Sequence, residues 1–445
     1  MKCKYLSVIC FLFLTAGGLQ AQKDFSLPEC IAYSLNNHRS VELYRNNVQI
    51  AKEQSMQALS IYLPQVNGLA SAVDNLKLAT IIIPAGVLSP KQMAVQFGQK
   101  YNNNLVLDAT QTVYDQAKIY GIKAAKPYMK LAHVQNSQNQ ETLIYNTAQA
   151  YFQVLVYQEL ENKLRKNIST YESLLKISEL QLAKGVVLQT DIRRITVALN
   201  AARYQLTETI TQQNLSVNLL KNAMGFPLDS VLQVNSIINL SSYTAMPEKS
   251  MFNRDSLNEF GMSKANAELQ RINYQAKKAS FIPSINTSAR WGNQAYNQSF
   301  SKSFDTWYDY SYIGLSINVP IFSGLRRKSQ VSESKLNYLN AEINMDLTAR
   351  NLQMRFENAN KELLTSYDNL QNTRNNFELA ESIYSSTQLA YQKGTASLTD
   401  FLSDDNAVKN AQTNYVNSLY ALMISRLNYE KSKGTLFSFY QQLKQ

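Results

Sequence analysis

Tyr391-Gln-Lys393-Gly394-Thr-Ala-Ser-Leu-Thr399-Asp400-Phe401-Leu-Ser403-Asp404-Asp405 says for a second time what the chain has said once already. Leu180-Gln-Leu-Ala-Lys184-Gly185-Val-Val-Leu-Gln-Thr190-Asp191 matches Leu389 to Asp400 at an offset of 209 (394 − 185), and the offset persists so that Ala202 meets Ala411, Leu206 meets Tyr415 and Gly225 meets Gly434. The sequence is therefore a duplication. Residues 186–224 and 395–433 contain neither Gly nor Pro, and at about 1.5 Å per residue each run makes a helix of roughly 60 Å. Upstream, 128–184 and 325–393 are equally free of both residues. Gly185 and Gly394 thus read as turns between two very long helices, each supplying a left-handed cap, with Thr-Asp opening the return helix.

The return helices carry a seven-residue spacing at Phe401, Val408, Tyr415, Leu422 and Tyr429, echoed by Ile192, Leu199, Leu206 and Leu220 with Gln213 as the break. A stripe of small residues runs beside it at Ala411, Ser418, Ser425 and Ser432, echoed by Ala202, Thr209, Ser216 and Ala223. Such a repeat gives knobs-into-holes packing, and small residues let neighbouring helices approach closely. Taken alone, these stripes fit an ordinary two-stranded coiled coil as well.

The segments between the hairpins favour a different reading. Ser26-Leu27-Pro28-Glu29 is a helix start, and its helix is expected to reach Tyr62-Leu63-Pro64; the counterpart, about 255–282, ends at Phe281-Ile282-Pro283, because Pro disfavours a helical residue before it. After Pro283 the period changes to two: Ile285, Thr287, Ala289 and Trp291 alternate with Asn286, Ser288 and Arg290, and Ile313, Leu315, Ile317 and Val319 alternate with Tyr312, Gly314, Ser316 and Asn318. This is the pattern of strands with one apolar and one polar face. In the first half Val95, Phe97, Tyr101, Leu105 and Leu107 share a face, while 65–83 alternates poorly. One β-hairpin is predicted in each repeat, about 65–113 and about 284–321, the first with a long tip near Pro84–Pro90. These strands exceed the ~9–11 residues that cross a bilayer, and Trp307, Tyr308, Tyr310 and Tyr312 cluster where an interfacial belt would lie. Four strands cannot close a membrane barrel, which needs about eight, and open edges are not tolerated in lipid. Several copies must share one barrel.

Met1–Ala21 has Lys2 and Lys4, an apolar core from Leu6 to Leu14 and small residues before Ala21, the form of a secretory signal peptide. Cys3 and Cys10 leave with it, so that Cys30 is the sole mature thiol and no internal disulfide forms. The domain plan is then 1–21 signal peptide, 22–230 first repeat with long helices about 115–184 and 186–224, and 231–445 second repeat with long helices about 325–393 and 395–433. Residues 228–253 and 435–445 lack a long periodic pattern and are expected to pack around the helices at mid-length.

Chemistry of the enzymatic kind is not written here. His38 and His133 are the only histidines and stand far apart, so the sequence offers no zinc-type ligand set. The glycines are scattered at turns, not gathered in a phosphate-cradling loop, and adjacent Asp404 and Asp405 on a helix point about 100° apart. No catalytic residue, cofactor or metal ligand is expected. The net charge of +11, or +9 without Lys2 and Lys4 (11 − 2), is dispersed, its densest cluster being Arg326-Arg327-Lys328 just after the second hairpin. In an exported chain that pattern speaks for lipid headgroups or bound lipopolysaccharide, or equally for a plain solvated helix start, rather than for nucleic acid.

In the order helix–Leu-Pro, strands, Val319-Pro320-Ile321-Phe322-Ser323-Gly324, long helix, Lys-Gly-x5-Asp, return helix, given twice, the mature chain resembles the TolC-like outer-membrane efflux proteins. The resemblance implies a mainly α fold with a membrane β-barrel: a homotrimer with a twelve-stranded barrel and a twelve-helix periplasmic tunnel. It implies a passive exit duct in the outer membrane of a Gram-negative cell, serving efflux or type I secretion. Its partners would be a periplasmic adaptor, an inner-membrane pump of RND or ABC type, and outer-membrane lipid. By the same resemblance Asp400 lines the pore constriction, with Asp404 as a substitute for the acidic residue that Ser403 lacks. Asp191 and Tyr391 would close the periplasmic tip, where an arginine of the family is replaced by Ala396, so that a lock would need another cation such as Lys184 or Lys393. The alternative reading is an exported structural coiled coil or adhesin without transport activity.

Overall fold

The structure, a computed structural model, describes residues 24–87, 90–235 and 251–443. The expected signal peptide and much of 228–253 lie outside the described residues. The chain forms two compact units, one drawn from the residues up to Arg45, Gln135–Phe260 and Thr348 onward, the other from Asn46–Val134 and Gly261–Leu347. Each unit takes segments from both repeats.

The order of elements is α1 (Leu27–Asn37), α2 (Arg39–Ser60), β1 (Gln65–Asp74), β2 (Thr80–Ile83), β3 (Met93–Gln96), β4 (Tyr101–Tyr114), α3 (Gln116–Ala183) and α4 (Gln189–Met224). The second repeat continues with α5 (Asn258–Ala279), β5 (Ser284–Asn297), β6 (Tyr308–Asn318), α6 (Arg326–Gln392), α7 (Leu398–Lys433) and α8 (Leu436–Gln442). The first helix is broken where a single one is predicted. His38 is extended at φ −66°, ψ 130°, and its Nδ1 accepts the Ser40 N–H at 3.1 Å, so that its side chain caps α2 and starts a new helix. Conversely, α3 runs through Pro127, tertiary packing outweighing one lost backbone bond.

In the unit that holds the sheet, four antiparallel strands lie in the order β1-β4-β5-β6. β4 and β5, one from each repeat, pair from Tyr101↔Asn297 to Tyr114↔Ile285 with a shift between Thr112 and Tyr114. The register puts Ile313, Ala289 and Ala109 in one row and Ser311, Trp291 and Leu107 in the next on the same face. The opposite face carries Tyr312, Arg290 and Asp108 in register, with Arg290 ion-paired to Asp108 and its guanidinium 5.8 Å from the Tyr312 ring. One face is thus apolar and exposed, at Ile313, Leu315 and Ile317, and the other polar.

Two details correct the sequence expectation. Tyr308, Tyr310 and Tyr312 alternate onto the polar face, opposite Ile313 and Leu315, and do not form an outward belt; Tyr310 lies over Gly292, which leaves room for its ring. The run from Val95 to Leu107 is not one strand either: Gly98 at φ +119° turns the chain, and Thr80–Ile83 pairs with Met93–Gln96 as a separate two-stranded sheet.

The other unit has the larger apolar core. Leu27, Cys30 and Ile31 of α1 pack with Ile144 and Phe152 of α3, Leu220 and Met224 of α4, Leu427 of α7 and Leu436 and Phe439 of α8. Phe25 and Val234 add a parallel bridge. Burial pushes the Cys30 thiol up to about 12, which keeps it unreactive.

Candidate functional site

The two helical turns end the helices of the second unit described. After α3, Gly185 at φ +73° lets Val186 N–H reach the Gln181 carbonyl at 2.9 Å; after α6, Gly394 at φ +77° lets Thr395 N–H reach the Ala390 carbonyl at 2.9 Å. These bonds satisfy carbonyls that the helix ends would leave open, and a Cβ at either position would be strained. The return helices begin four residues beyond each glycine, at Gln189 and Leu398, so the Thr-Asp pairs lie inside the first turn rather than at the cap position itself.

Asp400 is the third residue of α7. Its Oδ2 accepts from the Ser397 hydroxyl at 2.7 Å while Asp400 N–H donates to Ser397 Oγ at 3.1 Å, a reciprocal cap. The side chain is exposed. Asp191 does the same work less well, since Leu188 has no oxygen to offer: it accepts the Leu188 N–H at 3.3 Å and meets Arg194 at 3.6 Å. One turn into α7, Asp404 accepts from Thr387 Oγ1 of α6 at 2.6 Å.

The structure does not join Tyr391 to Asp191. The Tyr391 ring stacks on Phe401 with centroids 5.6 Å apart, and its hydroxyl is buried without a partner beside a cavity of about 380 Å³ that Leu174, Gln388 and Phe401 help to line. Nor do the Lys184 and Lys393 side chains make an ion pair or hydrogen bond among the described residues. The cation that spans the two turns is Arg194, whose Nη1 lies 3.5 Å from Thr399 Oγ1.

Sequence reasoning set Asp405 aside as the neighbour of Asp404. It is 4% exposed, paired with Lys409 Nζ at 2.7 Å, and it accepts from the Tyr171 hydroxyl of α3. Lys409 also bonds that hydroxyl and sits 4.4 Å from the ring centroid. Burial, then the hydrogen bond and charge of Asp405, raise the Tyr171 phenol; burial and Asp405 push Tyr384 up to about 12. Both phenols stay neutral, and Tyr171 donates its hydrogen bond to the Asp405 carboxylate. The network ties a helix of the first repeat to one of the second. The signal was present in the sequence: Asp405 and Lys409 stand four apart on the face that carries Phe401 and Val408, where an apolar stripe does not call for charge.

The sequence pattern of one family, outer membrane efflux protein, matches residues 31–226 and 256–435. The chain is 23% identical over 350 residues to outer membrane protein TolC of Escherichia coli K12, covering 74% of this chain and 69% of that protein. It is 21% identical over 414 residues to the solvent efflux pump outer membrane protein SrpC of Pseudomonas putida, covering 89% and 84%. In structure it is similar to the CmeC outer membrane channel of Campylobacter jejuni, with a TM-score of 0.77 at 19% identity, over 92% of this chain and 85% of that one.

Proposed function

The chain belongs to the outer membrane efflux protein family, and from that membership we infer that it is the outer-membrane exit duct of a tripartite efflux pump or a type I secretion system, passive in itself. The observation that supports this most directly is the four-stranded sheet: one face apolar, the other polar and ion-paired, both edges unpaired among the described residues. Edges left open in lipid are prohibitively costly, so β1 of one copy must pair with β6 of the next. Three copies bring twelve strands, within the range of known membrane barrels, and their helical hairpins wall the periplasmic tunnel. An exported coiled coil without transport would have no use for such a sheet. An adaptor and an energised inner-membrane pump are the partners this role requires. The duct supplies geometry and electrostatics, not catalysis.

At the tip, Asp400 forms the cation-attracting ring and Asp404, turned toward Thr387, contributes less. Closure rests on Arg194, which takes the part that Ala396 cannot, with Asp191 beside it on the same helix. An exposed ion pair is worth about 0.2–1 kcal/mol and the contact of Arg194 with the neutral Thr399 no more than that, so losing three such contacts shifts a closed–open equilibrium by at most roughly a hundredfold. Purified protein in planar lipid bilayers tests both statements. Discrete single-channel currents from a heat-resistant trimer are expected, and a water-soluble dimer without conductance would refute the duct. Arg194→Ala is expected to raise the open probability at least severalfold; an unaltered gating record would assign closure to other residues.

A further inference from the structure

The basic triplet after β6 is not used by the duct. Ile313, Leu315 and Ile317 form an exposed apolar row along β6, and in sequence the alternation continues past the strand through Val319 to Ile321, 93% exposed, beside Phe322, 80% exposed. Leu325, also exposed, holds φ +65°, a left-handed conformation that is unfavourable for a residue carrying a β-carbon. Arg326, Arg327 and Lys328 follow at once. Among the described residues none of their side chains makes an ion pair or hydrogen bond, and the first turn of α6 holds no acidic residue.

Helix stability does not account for this composition, because cations are unfavourable at the positive end of the helix dipole. The first repeat solves the same junction in the opposite way. There β4 passes into α3 with no strap, Asp115 Oδ1 accepts the N–H groups of Ala117 and Lys118 at 3.0 and 3.2 Å, and Lys118 Nζ is occupied by Thr112 Oγ1 at 2.9 Å. The second junction therefore spends local stability on exposed apolar groups and unpaired cations.

We propose that Val319–Leu325 together with Arg326, Arg327 and Lys328 form a docking surface for anionic phospholipid headgroups in the leaflet on the helix side of the sheet. The proposal rests on the membrane reading of the sheet. The apolar row of β6 faces the hydrocarbon, Ile321, Phe322 and Leu325 carry it to the boundary, and the three cations stand where phosphates begin. Charge complementarity selects lipid over a second copy of the chain as the occupant, since a protein interface would have to desolvate three unpaired cations.

Each cation near an anionic surface is worth roughly fivefold in affinity. The test is native mass spectrometry of the trimer released from bilayers of equal phosphatidylglycerol and phosphatidylethanolamine. Retained lipid is expected to be enriched at least about tenfold in phosphatidylglycerol, falling to near parity in the triple variant R326S/R327S/K328S and persisting in R326K/R327K, which keeps charge and helix. Parity in the unmodified protein overturns the proposal. So does enrichment that survives in the triple variant, or a triple variant whose trimer loses heat resistance while its lipid ratio stays unchanged, because the strap would then be a contact between copies. Conductance of the same samples is scored separately: a protein that conducts nothing refutes the duct, whatever its lipid ratio.

Discussion

Asp400→Ala is expected to weaken block of the single-channel current by multivalent cations by about two orders of magnitude. The reasoning starts from the position of the carboxylate, exposed at the start of α7 with Oδ2 engaged by Ser397. In the proposed trimer, three copies around the axis would act on one ion together. At about 1 kcal/mol per charge pair at 4 Å in water-like surroundings, the ring supplies at least ~3 kcal/mol to a bound cation, or roughly a hundredfold in affinity. Since alanine also removes a helix cap, worth about 1 kcal/mol, Asp400→Asn is the sharper probe: it keeps an acceptor for the cap and loses the charge. Both variants should lose block alike, and Asp404→Ala, whose carboxylate is held by Thr387, should lose much less. Unchanged block in Asp400→Asn would place the constriction elsewhere on the axis.

Asp405→Ala carries the second large effect, and on stability. It leaves Lys409 in a largely enclosed site with only the Tyr171 hydroxyl, and breaking a buried pair by removing one partner costs about 3–5 kcal/mol. Denaturant melting of the detergent-solubilised protein should show that loss. Replacing both charges, as Asp405→Leu with Lys409→Met, should recover most of it, because no charge is then stranded. A neutral Asp405→Ala would mean that water reaches Lys409 freely and the network holds nothing together. The phenols add a pH dependence with a definite sign. Tyr384 is raised from 10.0 to about 12 in the folded protein, so its contribution is complete below pH 10 and is lost as pH rises from there through 12. Acidification should leave it untouched.

How much of this could be read from residues depends on what each feature rests on. The duplication, the two helical turns and the second hairpin rest on periodicity and on Gly and Pro, which act locally; the structure has helices at Gln116–Ala183 and Arg326–Gln392 and a strand at Ser284–Asn297, the first helix running through Pro127 against that local signal. The break at His38 depends on one imidazole turning back to a single N–H, a choice no period announces. The tyrosines after Trp307 were aromatic residues in a run of alternating character; only the pairing of β6 with β5 fixes the face they occupy. At the tip, the acids were legible because a resemblance pointed to them, whereas Arg194 and Asp405 act through partners at separations of 205 and 234 residues. Such distances are closed by the fold alone.

The pairing of β4 with β5 has a consequence for symmetry. A ring of three such chains holds six near-copies of one motif, and the junction between the two copies inside a chain is of the same kind as the junction between chains. The ancestral arrangement would have been sixfold. Covalent fusion released the copies from identity: Asp405 and Lys409 have the uncharged Thr196 and Asn200 at the corresponding places (405 − 209 and 409 − 209), so the buried pair present in one hairpin of the chain is absent from the same place in the other. In the proposed trimer the wall would then move, when it moves, with the order of three.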